Sequence, residues 1–283
     1  VFVLPGIRSD YAIGVALLVG SAITFSSAGL FTKGVVAAAW AVIFWRGVFA
    51  AAFTTAWIAH RGSLRHDFLQ MGAAGWAVGV IGAFGTAAFI PAFKLTSIAN
   101  VSLIYAVAPL IAALLAWGFI GERITLRTLI GSICALAGVG IIVSGSLGTL
   151  SLQGDGLALV MTAAMATIMV IYRKWPSTPS GGPSVLQSVF LVPPSLIFGT
   201  PFETTIPETV ILAAFGLLFA IASVTLAEGA KRVPSGQTAL LSALETPLAP
   251  ILAFLVLSEI PSLATVIGGA VVLLAVLVSI KTQ

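Results

Sequence analysis

Charge is missing from most of this chain in a pattern that leaves few folds available. Ten apolar stretches, residues 11–31, 40–59, 69–93, 96–119, 128–144, 156–172, 185–199, 209–227, 235–257 and 262–280, hold only two charged side chains, Arg46 and Glu245. Every other Asp, Glu, Lys and Arg lies between the stretches or in the tails. A helix needs ~20 mostly apolar residues to cross hydrocarbon, so the spacing predicts an all-α membrane protein of ten transmembrane helices. Charged residues make up 8% of the chain, against roughly 25% in soluble proteins, and mean hydropathy is +1.14. A cytosolic enzyme, a nucleic-acid binder and a disordered regulator are excluded. The lone Cys134 lies inside a span, so redox compartment is unreadable.

The basic residues orient the spans. Counting connections alternately, one side carries Arg8, Arg61, Arg65, Arg123, Arg127, Arg173, Lys174, Lys231, Arg232 and Lys281, and the other only Lys33 and Lys94. Lys and Arg collect on the cytoplasmic side, which predicts both termini in the cytoplasm of a multi-pass protein of the cell membrane. Residues 1–10 read as a tail. Arg8 ahead of 11–31 mimics a signal peptide, but that apolar run is too long for one and is expected to stay. The short connections leave no room for a catalytic domain outside the bilayer. The seventh span is the shortest and is interrupted by Pro193 and Pro194.

A shift of 137 residues aligns the two halves, placing Gly79 on Gly216, Lys94 on Lys231, Asn100 on Gln237, Leu103 on Leu240, Glu122 on Glu259 and Gly131 on Gly268. Pro109 and Pro247 miss by one position. Two five-span units are expected, 11–144 and 156–280, joined by a linker at 145–155 and followed by a tail at 281–283. Five is odd, so the second unit lies inverted relative to the first. Inverted repeats are a transporter signature, with substrate held near the midplane between the halves. A passive helical bundle left by gene duplication is the alternative.

The segment Ala108-Pro109-Leu110-Ile111-Ala112-Ala113-Leu114-Leu115-Ala116-Trp117, continuing to Gly121-Glu122-Arg123-Ile124-Thr125, closely resembles the EamA repeat of the drug/metabolite transporter superfamily. The second copy runs from Leu244-Glu245-Thr246-Pro247 to Ser258-Glu259. It departs from the family pattern in Thr246, in the extra Pro250 and in Ser258 where Gly is usual. Arg46 stands where the family commonly has an arginine in its second helix. General similarity points to the YddG-type amino-acid exporters. The resemblance implies two inverted five-helix repeats around a central cavity lined by the third, fourth, eighth and ninth spans.

Arg46 and Glu245 each carry an insertion penalty of about 2.5–3.5 kcal/mol near the bilayer centre, so each should face protein or water. In one reading they line the cavity and approach each other. In the other, Arg46 snorkels outward and Glu245 caps a proline-freed segment. Pro109, Pro247 and Pro250 lack an amide hydrogen and clash one turn back, and they are read as helix breaks or hinges. Tyr105, one turn before Pro109, is a stacking candidate for an apolar or aromatic substrate; core packing is the alternative. Trp76 is a second deep aromatic placed in the substrate site. Asn100 and Gln237 are read as pore-lining or gating polar groups. The small residues Gly72, Gly75, Gly79, Gly82 and Gly85 form one ridge suited to close helix packing.

These features point to a secondary transporter that exports small amphipathic metabolites, amino acids including aromatic ones foremost. Arg46 would take a carboxylate and Glu245 or freed carbonyls an ammonium. An exporter of lipophilic cations or drugs, driven by protons through Glu245, is the alternative. Enzyme function is not expected: His60 and His66 lie in one loop, and the spans hold no histidine, paired acids or metal ligands. No cofactor or metal is implied, and the Gly-x-x-x-x-Gly-Lys phosphate loop is absent. The partners expected are a small-molecule substrate and the lipid bilayer. Accessibility labelling should place the connections carrying Lys94 and Lys231 on opposite sides of the membrane; labelling from one side would refute the inverted arrangement.

Overall fold

Proline, and the need of every amide in hydrocarbon for a partner, decide where these helices stop. A computed structural model describes residues 5–27, 30–31, 35–96, 98–144, 151–258 and 260–280. It contains α1 (Pro5–Ser26), α2 (Ala39–His60), α3 (Gly72–Leu95), α4 (Ile98–Tyr105), α5 (Ala108–Ile120), α6 (Leu126–Val143), α7 (Leu152–Lys174), α8 (Gly181–Phe190), α9 (Val192–Phe198), α10 (Ile206–Ala230), α11 (Ser235–Ser242), α12 (Glu245–Leu257) and α13 (Leu263–Ile280). A π turn spans Arg65–Leu69 and a 3-10 turn Pro201–Glu203. No strand occurs among the described residues.

Among the described residues, eight stretches are long and apolar enough to cross a membrane: Ala39–His60, Gly72–Phe89, Asn100–Ile120, Leu126–Val143, Leu152–Lys174, Gly181–Phe198, Ile206–Ala230 and Ser235–Val256. The apolar helices Asp10–Ser26 and Leu263–Ser279 are shorter. Ten crossings were expected from composition; eight meet the length that hydrocarbon demands.

Three of the stretches are broken helices. α4 stops at Tyr105 and α5 starts at Ala108, with Pro109 in its first turn, where a missing amide hydrogen costs least. The gap is closed by tight bonds from Val107 N to Ile104 O (3.1 Å) and from Leu110 N to Val107 O (3.0 Å). α11 and α12 meet in the same way, through Leu244 N to Leu241 O (3.2 Å) and Thr246 N to Ala243 O (3.1 Å). Pro193 and Pro194 open α9 directly after a break at Leu191. Pro250 departs from expectation: it lies inside an uninterrupted α12. One lost amide bond is tolerable when the rest of the ladder is intact, and Pro91 is carried inside α3 in the same way.

The repeat is sharper in three dimensions than in sequence. α4, α5 and α6 recur as α11, α12 and α13 with every boundary 137 residues on. So do the caps. Thr125 Oγ1 accepts from Thr128 N (3.1 Å) and touches Thr128 Oγ1 (2.9 Å), while Ser262 Oγ accepts from Thr265 N (3.1 Å) and touches Thr265 Oγ1 (2.9 Å). Partners are exchanged between the halves: α3 packs on α7 as α10 packs on α1, and α3 on α8 as α10 on α2. The two terminal helices α6 and α13 lie against each other in opposite directions. Gly131 meets Ala275 and Ser279, whereas Gly138 meets Gly268 and Val272. A Cβ on Gly138 or Gly268 would overlap the carbonyl of the other. The expected equivalent of Glu122, Glu259, lies outside the described residues, as do Lys33, Lys281 and most of the linker.

The equivalent helices α5 and α12 both end in a left-handed residue, Gly121 at φ 67° and Ser258 at φ 57°. Glycine adopts that backbone freely, whereas a residue with a Cβ is strained there by about 1–2 kcal/mol. Ser258→Gly is therefore expected to stabilise the protein by about 1 kcal/mol, read as a raised unfolding midpoint in detergent. An unchanged or lowered midpoint would refute the strain.

Candidate functional site

Arg46 is the cation of the two charges inside the apolar stretches of the sequence, and the structure gives it rings. Gly47, beside it on α2, faces the Ser188 carbonyl of α8, and the Arg46 carbonyl meets Gly216 of α10. These close approaches fix α2 between α8 and α10. The guanidinium lies 4.1 Å from the Phe219 ring centroid and 5.7 Å from that of Phe215. Phe25 of α1 meets Phe219 edge-on at 5.9 Å, and Phe31 stacks on Phe215 at 5.6 Å. Arg46 Nε is buried with no hydrogen-bond partner. A close cation–π contact contributes about 2 kcal/mol when desolvated, against roughly 2.5–3.5 kcal/mol for placing Arg near the bilayer centre. The rings offset most of the penalty but supply no acceptor, so an anion entering the slot gains a strong, directional partner.

Glu245 begins α12 immediately after a helix break, and Tyr105 ends α4 immediately before the other. The structure brings the two together, hydroxyl against carboxylate. No ion pair joins Arg46 to Glu245 among the described residues. Pro109 and Pro247 stand beside the two breaks; Pro250 stands at neither.

Asn100 and Gln237 are each only 7% exposed and bonded to protein. Asn100 Nδ2 donates to Thr96 Oγ1 (3.0 Å) and Asp155 Oδ1 (3.4 Å), while Thr96 donates to Asp155 (2.6 Å). Gln237 accepts from the Tyr11 hydroxyl (3.2 Å) and donates to the Ser279 carbonyl (3.2 Å). A buried amide needs such partners; these brace α4 on α7 and α11 on α1 and α13, where an open pore lining was expected. Trp76 departs as well. It is 51% exposed and tilted on Phe190 of α8 at 6.4 Å, so it is not enclosed in a site with Tyr105. The glycine ridge serves packing, with Gly79 against Leu186, Gly82 against Gln187 and Gly85 against Ala164.

Sequence reading missed the charged latch at one end of the bundle. Glu122 accepts from Ser235 N, the first amide of α11 (3.1 Å), and pairs with Arg173 Nε of α7 (3.4 Å). Arg173 also donates to the Lys231 carbonyl (3.2 Å). Glu228 holds Lys231 (2.6 Å) and Arg232 (2.8 Å), and Arg232 reaches Asp10 at the start of α1 (3.0 Å). Nearby, the 6%-exposed Asp67 accepts from Ser63 Oγ (2.8 Å) and from Gly182 N at the start of α8 (3.3 Å). The Gly-Glu-Arg motif signalled Glu122 but not its partners. Nothing in the local pattern set Asp67, Phe215 or Phe219 apart.

A model of the EamA-like transporter family matches twice, over residues 12–144 and 152–281. No curated protein matches the sequence. Among 29 matching chains of solved structures is a protein crystal structure, 20% identical, with a TM-score of 0.82 over 96% of this chain and 98% of that one. At that identity the likeness concerns the fold.

The latch joins the first repeat to the second through a partly exposed pair, worth about 1 kcal/mol at most. Glu122→Gln should lower the unfolding midpoint by that amount in low salt and by less at high ionic strength. A loss that ignores salt would show packing, not charge, to be its basis.

Proposed function

The chain belongs to the EamA-like transporter family, and from that premise we propose that it exports small amphipathic metabolites, above all amino acids including aromatic ones, across the cell membrane by alternating access. It is a multi-pass membrane protein of the drug/metabolite transporter type. The observation that carries the finer reading is Arg46: a half-buried side chain whose Nε is buried and unpartnered, walled by Phe215 and Phe219. That arrangement suits a carboxylate attached to an apolar or aromatic body. Glu245, beside Tyr105 at the facing helix breaks, suits an ammonium or a coupled proton.

The remaining parts of the reading have their own support. Counting α1 and α13 with the eight longer stretches gives ten crossings, five to each repeat. The antiparallel contact of α6 with α13, their glycines exchanged as a twofold axis in the membrane plane would exchange them, favours inverted halves. The distribution of Lys and Arg favours cytoplasmic termini. The latch around Glu122 then lies at the cytoplasmic end and must open for substrate to enter from that side.

An exporter of lipophilic cations is the competing reading, favoured by the Glu245–Tyr105 pair, with Arg46 purely structural. Counterflow in proteoliposomes separates the two. Saturable exchange of a neutral or aromatic amino acid is expected, and Arg46→Ala should weaken it by roughly 10–100-fold, the worth of a charge-assisted hydrogen bond, with the protein still folded. Uptake of cationic dyes alone, or exchange indifferent to Arg46→Ala, would overturn the amino-acid reading. Glu245→Gln should flatten the pH profile of exchange; an unaltered profile removes Glu245 as the coupling group.

A further inference from the structure

An ion pair that water can reach holds two surfaces together without keeping water out. The latch is of that kind: the side chains of Arg173 and Glu122 are 32% and 20% exposed. It is a fastening, and the barrier to water and solute has to lie deeper. Immediately beneath it, Tyr172, Ile171 and Ile168 of α7 and Val78 of α3 close on Ala227 and Ala230 of α10. All six side chains are buried. The cluster is about one helical turn thick, roughly 6 Å from residue 168 to residue 172.

The two sides of this cluster are held by different neighbours. α7 lies along α3, with Gly85 against Ala164. α10 lies along α1, with Gly229 against Leu18 and the Ser21 hydroxyl donating to the Ala222 carbonyl (2.9 Å). By comparison α7 and α10 meet each other briefly. On the α10 side of their seam the cluster presents two methyl groups, so the faces can part without drawing a large side chain out of a socket. Tyr172 carries the cluster up to the latch. Its ring packs among the apolar side chains, and Lys231 Nζ, held by Glu228 at 2.6 Å, lies 5.8 Å from the ring centroid. Next to it, Arg173 of α7 donates to the Lys231 carbonyl just past the end of α10 (3.2 Å). Charge and apolar contact thus bridge one seam in two consecutive layers.

We propose that this cluster is the permeability barrier at the latch end, a hydrophobic gate in which Tyr172, Ile171 and Ile168 shut against Ala227 and Ala230. An apolar constriction excludes water and charged solutes by dewetting, which a hydrated ion pair cannot do. The latch sets how long the gate stays shut; the apolar layer stops passage while it is. The gate rests on the proposed alternation between the two faces and on no particular solute.

The test uses the full chain with Cys134→Ser as background and one reporter thiol, Ser223→Cys, about 6 Å further into α10 than Ala227. The protein is placed in sealed vesicles and treated with a membrane-impermeant methanethiosulfonate from the latch face, identified as the face from which the exposed position of Trp175→Cys reacts. The reporter should be shielded. Tyr172→Ala leaves a void continuous with the wet latch and should speed labelling by about tenfold or more. Tyr172→Phe keeps the ring and should leave the reporter shielded. Ala227→Leu stays apolar but holds α10 off α7; it should expose the reporter too, and it decides the matter if Tyr172→Ala does not fold. Glu122→Gln weakens the latch and spares the apolar layer, so it should speed labelling by about fivefold at most, the worth of a partly exposed pair. A reporter that reacts freely in the parent, or that stays shielded in both Tyr172→Ala and Ala227→Leu, would overturn the proposal. So would exposure in Glu122→Gln equal to that in Tyr172→Ala, or loss of shielding in Tyr172→Phe. Labelling is read without solute, so its failure leaves the amino-acid reading standing, and failure of amino-acid counterflow leaves the gate standing.

Discussion

In hydrocarbon an unbonded amide or carbonyl costs several kcal/mol, so the backbone must satisfy itself wherever water is absent. That requirement explains the helices, and it makes their interruptions informative. The gaps after Tyr105 and Ser242 are each closed by a bond to the third residue back. Each break thereby loses helical geometry without abandoning many polar groups. The chain keeps two such breaks at matching places in its repeats and puts Tyr105 and Glu245 at their edges. Pro250 carries no comparable consequence, because the helix around it is continuous.

The halves illustrate what repetition preserves. Few identities survive the shift of 137 residues, yet the caps do: threonine pairs with threonine at 125 and 128, and serine with threonine at 262 and 265, in the same hydrogen bonds. Any short hydroxyl can satisfy an orphan amide at a helix start, so the geometry is conserved while the residue drifts. The left-handed ends of α5 and α12 are less forgiving, and there Ser258 holds the conformation that Gly121 adopts freely. Gly138 and Gly268 are the strictest case, since each sits where the other's backbone leaves no space for a side chain.

The helical character, the broken seventh span and the breaks near Pro109 and Pro247 were legible because they rest on composition and on proline, both local in sequence. Arg46 and Glu245 were legible as charges where charge is rare. Their surroundings were not. Phe215 and Phe219 are ordinary apolar residues of a span until α10 is set against α2, and nothing local in the sequence marks Asp67, which the fold places at the start of α8. Asn100 and Gln237 looked like pore groups because a polar side chain inside a span must be used somewhere. Their bonds to Asp155, Tyr11 and Ser279 supply that use within the scaffold. Periodicity shows that a polar group needs a partner; only the tertiary contacts show which one.

Charge is handled in opposite ways at the two places where it accumulates. At the end marked by Glu122, acids and bases are interleaved: Asp10, Glu122 and Glu228 face Arg173, Lys231 and Arg232 over 2.6–3.4 Å. Such pairs close surfaces together and separate at modest cost, being partly exposed and screened. Within the spans, Arg46 and Glu245 form no ion pair with each other among the described residues, and each has an aromatic neighbour, Phe219 for one and Tyr105 for the other.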